Sequence, residues 1–215
     1  MVTEEQIKEQ YDRFMKLISE DSRKENLLKL YDTIGTRIIE APASMRVYWH
    51  NCFPGGYLDH VLRVYDASLQ IAKTYKNLGG SLTFNKQELT LATLHHDLGK
   101  LGDLENVYYI DQESEWHQKR GERYQMNRHI QFMHVPDRAL FLLQHFGVEI
   151  TQNEWLGIKL SDGLYEEANK SYLKNTLYPY PMHTSLPYIV HMADMMATSV
   201  ERDQTRINFA DDGTM

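Results

Sequence analysis

Apolar side chains recur along most of this 215-residue chain at intervals of three and four, the spacing that lines up one face of an α-helix. Ile7, Tyr11, Phe14 and Ile18 form one such stripe, and Leu27, Leu30, Tyr31 and Ile34 form a second. No run alternates Val or Ile with polar residues as a half-buried strand does, and 12 glycines and 6 prolines leave few breaks. The predicted fold class is all-α. A chain of this length can bury a full core as one domain, so any metal ligands it carries serve chemistry rather than hold the fold.

The two N-terminal stripes, within residues 1–40, are expected to pack onto a body formed by residues 50–200. A break at Ala41-Pro42-Ala43 and the aromatic run Tyr48-Trp49-His50 lead into Phe53-Pro54-Gly55-Gly56. Helices are then expected over about 57–75, ended by Gly79-Gly80, and over about 86–98 and 136–146. Thr151-Gln152-Asn153-Glu154 has the form of a capping box opening another helix. The last strong helix is expected over about 185–200, with Pro187 tolerated in its first turn. The polar, irregular stretch between Gly102 and Asn127 reads as a loop or lid, the stretch 166–181 as an aromatic-rich connection, and 201–215 as a flexible tail.

Lys and Arg number 23 against 30 Asp and Glu, a formal charge of -7. Duplex DNA is held mainly by basic groups that release counterions, so this balance argues against it as a partner. A nucleotide or a short single-stranded end held at one local site stays compatible. Cys52 is the only cysteine, which excludes an internal disulfide and a cysteine zinc cluster. The N-terminus lacks a basic start followed by an apolar run, and the apolar stretches fall far short of the roughly 20 residues that span a bilayer. The expected compartment is the cytoplasm, away from membranes. The oligomeric state is left open.

Ten histidines carry the functional signal through their positions. His60 falls inside one expected helix, His96-Asp97 at the end of a second, and Asp194 inside the last. Imidazole nitrogens and carboxylate oxygens suit a divalent first-row metal and leave positions for water and substrate. Each residue also has a plainer explanation. His60 can be a core or surface histidine, Asp97 and Lys100 a helix-end ion pair, and Asp194, among Met and Ala neighbours, half of a buried salt bridge.

Beside that reading, two segments carry a family likeness. Phe53-Pro54-Gly55-Gly56-Tyr57-Leu58-Asp59-His60 and Leu94-His95-His96-Asp97-Leu98-Gly99-Lys100, with the later Asp194, resemble the signature of the HD-domain metal-dependent phosphohydrolase superfamily. The His60 segment looks most like that of exoribonuclease-like HD proteins and their small phage or bacterial relatives. The resemblance implies a single HD-type helical bundle over residues 1–200, with one divalent ion (Mn, Fe, Mg, Co or Ni) held by His60, His96, Asp97 and Asp194. His134 matches the first of two extra histidines that build a second metal site in some relatives. Where the other would stand, this chain has Ser161-Asp162-Gly163, so one metal is expected and His134 becomes a substrate-facing acid or an incomplete ligand, unless it is a surface histidine.

Such a metal would polarise a phosphoryl oxygen and activate water. Asp97 could orient that water, Lys100 could meet the growing phosphoryl charge, and His134 could donate toward the leaving oxygen. Lys119, Arg120, Arg123 and Arg128 form a local basic group able to bind substrate phosphates, or simply a solvated charged face. The expected activity is hydrolysis of a phosphate ester or anhydride of a nucleotide. The alternatives are a single-strand 3′-end exonuclease and a catalytically inactive nucleotide-binding protein.

Overall fold

The computed structural model describes residues 3–174 and 181–211, with side chains described as far as Arg206. The protein is predominantly helical, as the three-four spacing predicts. Helix α1 (Glu4–Ser19) opens with a capping box in which Thr3 and Gln6 exchange backbone and side-chain bonds. Helix α2 (Lys24–Ile34) and the single turn α3 (Arg37–Glu40) follow. Phe14, Ile18, Leu27, Leu30 and Ile38, all buried, seat this N-terminal unit on the body, where α1 packs against α4 (Gly56–Asn77).

The body is a closed set of four helices. α4 contacts α5 (Lys86–His95) and α10 (Leu186–Asp211), while α8 (Gln152–Lys159) contacts both α5 and α10. Leu58, Val61, Leu62, Leu91, Leu94, Ile158, Ile189 and Val190 fill the space between them. A 3-10 turn, Leu98–Leu101, leaves α5 and packs against α7 (Val135–His145). Gly99 permits that approach, because a Cβ there would lie 2.2 Å from the Val135 carbonyl oxygen. The buried Arg138 of α7 donates to the Gly99 carbonyl from 3.3 Å, fixing the turn from the same side.

Two capping boxes are joined across the body. Asn85 and Glu88 cap α5, Thr151 and Glu154 cap α8, and the Thr151 hydroxyl donates to Glu88 Oε1 at 2.7 Å. Arg23, at the start of α2, then pairs with both Asp21 and the almost inaccessible Glu154, each at 2.8 Å. The sequence therefore sets helix starts that also hold helices to one another.

The stretch read as an irregular lid contains some order. Strands β1 (Tyr109–Asp111) and β2 (Tyr124–Met126) pair antiparallel around α6 (Glu115–Lys119), the only sheet among the described residues. Three-residue strands are too short to display an alternating period. The loop before α4 joins this layer through Arg46 and Glu122, which pair both as a β-bridge and as an ion pair at 2.8 Å.

Two boundaries differ from expectation. The connection after 166 includes the short α9 (Lys170–Leu173), and residues 175–180 of it lie outside the described residues. Helix α10 runs on to Asp211 through the part read as a tail, and Glu201, at the start of that part, is buried against His60 of α4. Residues 212–215 lie outside the described residues. No helix among the described residues is long and apolar enough to cross a membrane.

Candidate metal centre

His60 stands one turn into α4, on the face that carries Tyr57, Val61 and Val64 into the core. The entry to that helix is tight. Gly55 adopts φ 82°, and a Cβ on Gly56 would lie 2.0 Å from the Asn51 carbonyl oxygen. Larger residues in this pair would displace the first turn and His60 with it.

His96 and Asp97 straddle a change of backbone. His96 keeps helical angles at the end of α5, whereas Asp97 takes φ -103° and ψ 7° as the chain tightens into the 3-10 turn. On a continuing helix these neighbours would point about 100° apart. The break lets both reach His60. The His96 ring centre lies 5.5 Å from that of His60, and Asp97 Oδ2 lies 3.5 Å from His60 Nε2.

Asp194 arrives from α10, its Oδ1 3.2 Å from His60 Nε2 and 3.9 Å from His96 Nε2. One ligand atom from each of His60, His96 and Asp97 falls within 4.8 Å of the others. The His96 ring is oriented from behind, with Nδ1 2.8 Å from the Thr93 carbonyl oxygen. That bond requires a proton on Nδ1 and leaves the Nε2 lone pair toward the cluster. His96 Nε2 is buried without a hydrogen-bond partner, and His60 Nε2 has only the carboxylate oxygens of Asp194 and Asp97, 3.2 and 3.5 Å away. A buried polar atom left unpaired costs on the order of 1–3 kcal/mol. A divalent cation among these imidazoles and carboxylates satisfies them, so the residues present fit such an ion, and the protein has the capacity to bind one.

Electrostatics point the same way. Burial opposes a charged His60, yet Glu201 and Asp194 outweigh it and its pKa is pushed up to about 10. Burial likewise opposes ionisation of Asp194 and Asp97, but the neighbouring His60, His96 and Lys100 hold both carboxyls below their usual range. The carboxylates thus gather positive charge around one point. Lys100 Nζ contributes from 2.6 Å on Asp97 Oδ2, and its own pKa is raised despite burial. Lys100 also lines a cavity of about 380 Å³ with Arg37, Tyr108 and Tyr109.

Other candidates sit differently. His134 is half exposed at the start of α7, with Nδ1 3.1 Å from Glu166 Oε2. Lys119, Arg120, Arg123 and Arg128 are all exposed, and Arg120 lies 4.4 Å over the Trp116 ring. Among the described residues no contact ties these five to the His60 cluster. Asp162 lies within electrostatic reach of it. Burial and the charges of Asp97 and Asp194 raise its pKa. His95 is turned into the core, bonded to the Leu91 carbonyl at 2.7 Å, and burial drives its pKa down to about 4.

Sequence reasoning passed over Glu201 and Arg63. Glu201 accepts from His60 Nδ1 at 3.1 Å and lies 3.2 Å from Arg63 Nε. A signal was available: Glu201 follows Asp194 by seven residues, two helical turns, and so shares its face of α10. His50, in the loop before α4, also comes close, its ring centre 5.0 Å from that of His60.

Comparison with protein-family models, with curated proteins and with solved structures gives no match to this chain. Fold and site together define a predominantly helical protein with a buried histidine-carboxylate cluster suited to a divalent metal.

Proposed function

We propose that the chain is a metal-dependent phosphohydrolase of the HD-domain type, one domain over residues 1–200, that cleaves a phosphate ester or anhydride of a nucleotide in the cytoplasm. The observation that supports this reading is the convergence of His60, His96, Asp97 and Asp194 from three helices beside the Lys100 ammonium. Two imidazoles with two carboxylates leave room on a six-coordinate ion for water and substrate. One ion of Mn, Fe, Mg, Co or Ni, when bound there, supplies polarisation of a phosphoryl oxygen and activation of water.

The chain's own groups do the rest. Lys100, kept protonated by Asp97, meets the charge that grows on the equatorial phosphoryl oxygens. Asp97 orients the attacking water with its carboxylate. His134 donates toward the leaving oxygen, with Glu166 holding its ring. Lys119, Arg120, Arg123 and Arg128 receive the outer phosphates of the substrate.

Metal analysis of the purified protein, followed by a panel of nucleoside mono- and triphosphates, cyclic dinucleotides and short RNA, tests the reading. Metal-dependent release of phosphate or nucleotide from a small nucleotide is the expected result. Stepwise trimming of RNA alone would make the protein an exonuclease. Tight binding of one nucleotide with no turnover in the metal-loaded protein would make it a binding protein instead.

A further inference from the structure

Glu201 is buried to 1 % exposure on α10, and the proposed reaction gives it no task. A buried carboxylate needs compensation. Its Oε2 lies 3.1 Å from His60 Nδ1, and its Oε1 lies 3.2 Å from both that nitrogen and Arg63 Nε. Arg63 is itself tethered, with Nη2 3.2 Å from Asp59 Oδ2. Asp59 in turn accepts from Gln10 at 2.6 Å and from Asn51 at 2.8 Å. The carboxylate therefore has a fixed place, held from α1, from the loop before α4 and from α4 itself.

We infer that Glu201 is the positioning residue of the metal centre, an inference that rests on the metal reading of the His60 cluster. An imidazole presents a lone pair on one nitrogen only when the other carries the proton, and the partner of the second nitrogen decides which. Glu201 accepts a hydrogen bond from Nδ1–H, which keeps the proton on that nitrogen and leaves Nε2 facing Asp97, Asp194 and His96. Carboxylates in this position raise the basicity of the ligating ring and fix its rotation, and their loss typically weakens metal binding about 10- to 100-fold. The Arg63 guanidinium, 3.2 Å from Glu201 Oε1, keeps the buried charge tolerable.

A competing arrangement is available and gives the test its contrast. One ligand atom from each of His50, His60 and Glu201 also falls within 4.8 Å of the others, so Glu201 is close enough to ligate in its own right. Its engagement with His60 Nδ1 and Arg63 favours the positioning role, because a ligating oxygen would have to give up those partners.

The experiment is Mn²⁺ titration of the full chain, with the metal-free thermal midpoint of each variant as the control. Wild type is expected to bind Mn²⁺. Glu201→Gln should bind about 10- to 100-fold more weakly with its metal-free midpoint changed by no more than a few degrees. Glu201→Asp should fall between the two, and His50→Ala should match wild type within a few-fold. If Glu201→Gln does not fold, Glu201→Asp decides: several-fold weaker binding supports the inference and wild-type affinity ends it. Unchanged affinity in a folded Glu201→Gln also ends it. Loss of binding in Glu201→Gln and His50→Ala together, with Asp97→Asn unaffected, would make Glu201 a ligand instead. A wild-type chain that takes up no divalent ion would sink the metal reading itself, an outcome separable from all the others.

Discussion

His60 spans two turns of α10, with Nε2 3.2 Å from Asp194 Oδ1 and Nδ1 3.1 Å from Glu201 Oε2. One side of the imidazole is thereby anchored and the other is left for the cluster. This relationship ties the site to the packing of α4 on α10, so what disturbs that interface disturbs the donors. It also separates residues that build the centre from residues that merely stand near it.

His96 and Asp97 belong to the builders. His96→Ala or Asp97→Ala should abolish measurable binding of a divalent ion, a larger loss than the roughly 10- to 100-fold expected for an outer partner. Circular dichroism should show the helical content intact, because neither residue contributes to the apolar core between the helices. Metal content of the purified variants checks the ligand assignment directly, and full occupancy in either one would remove that residue from the set.

The pattern that predicts these donors is visible in the sequence for physical reasons. Helical faces are legible where apolar residues repeat over several turns, as at Ile7 to Ile18. His60 and the His96-Asp97 pair stand out beside glycines that mark the tight entry to α4 and the Asp97 turn, and Asp194 stands out as a carboxylate among Met and Ala neighbours, although residue chemistry alone left each a plainer explanation. Glu201 was hidden for the opposite reason, since a charged residue in a polar stretch looks like solvent-exposed helix or tail until its partners on α4 are known. The basic residues between Lys119 and Arg128 show the converse limit. Closeness in sequence says little about where long side chains end, and Arg120 ends over Trp116.

Arg23 is a stability prediction independent of the metal. Its guanidinium meets Glu154, 1 % exposed, and Asp21. Arg23→Met leaves the Glu154 charge buried without its partner and should cost about 3 kcal/mol in urea unfolding. The pH dependence has a definite sign. Burial opposes ionisation of Asp21, but the Arg23 bonds hold its folded pKa below the ordinary 3.8. Its contribution is therefore present above pH 3.8 and is lost as the pH falls through the lower folded value. Wild type should lose stability in that acid window more steeply than Asp21→Asn, and parallel profiles would refute the assignment.

Gly99 links the fold to the site. A Cβ there would sit 2.2 Å from the Val135 carbonyl oxygen, which is backbone and cannot rotate away. Gly99→Ala should force α7 and the turn apart at a cost of about 1–3 kcal/mol, the usual range for overpacking. Asp97 and Lys100 flank the displaced residue, so affinity for a divalent ion should fall together with stability. Denaturant unfolding and metal titration on the same preparation measure both, and a stable variant with weakened binding would show that the turn is coupled to the site without being coupled to the core.

Lys100 provides the sharpest division between binding and turnover. Its ammonium lies 2.6 Å from Asp97 Oδ2, so without substrate it draws on the same carboxylate that a metal would use. Lys100→Met removes that competition and should leave affinity for a divalent ion equal to wild type or tighter. Under the proposed reaction the same change withdraws a positive charge from the phosphoryl oxygens, and turnover should fall on the order of 100-fold, as for loss of one preorganised donor. Measured side by side, metal affinity should hold or rise while kcat falls. A parallel fall in both would mean that Lys100 serves to hold Asp97 in place, and the phosphate-facing role would have to pass to another cation near the site.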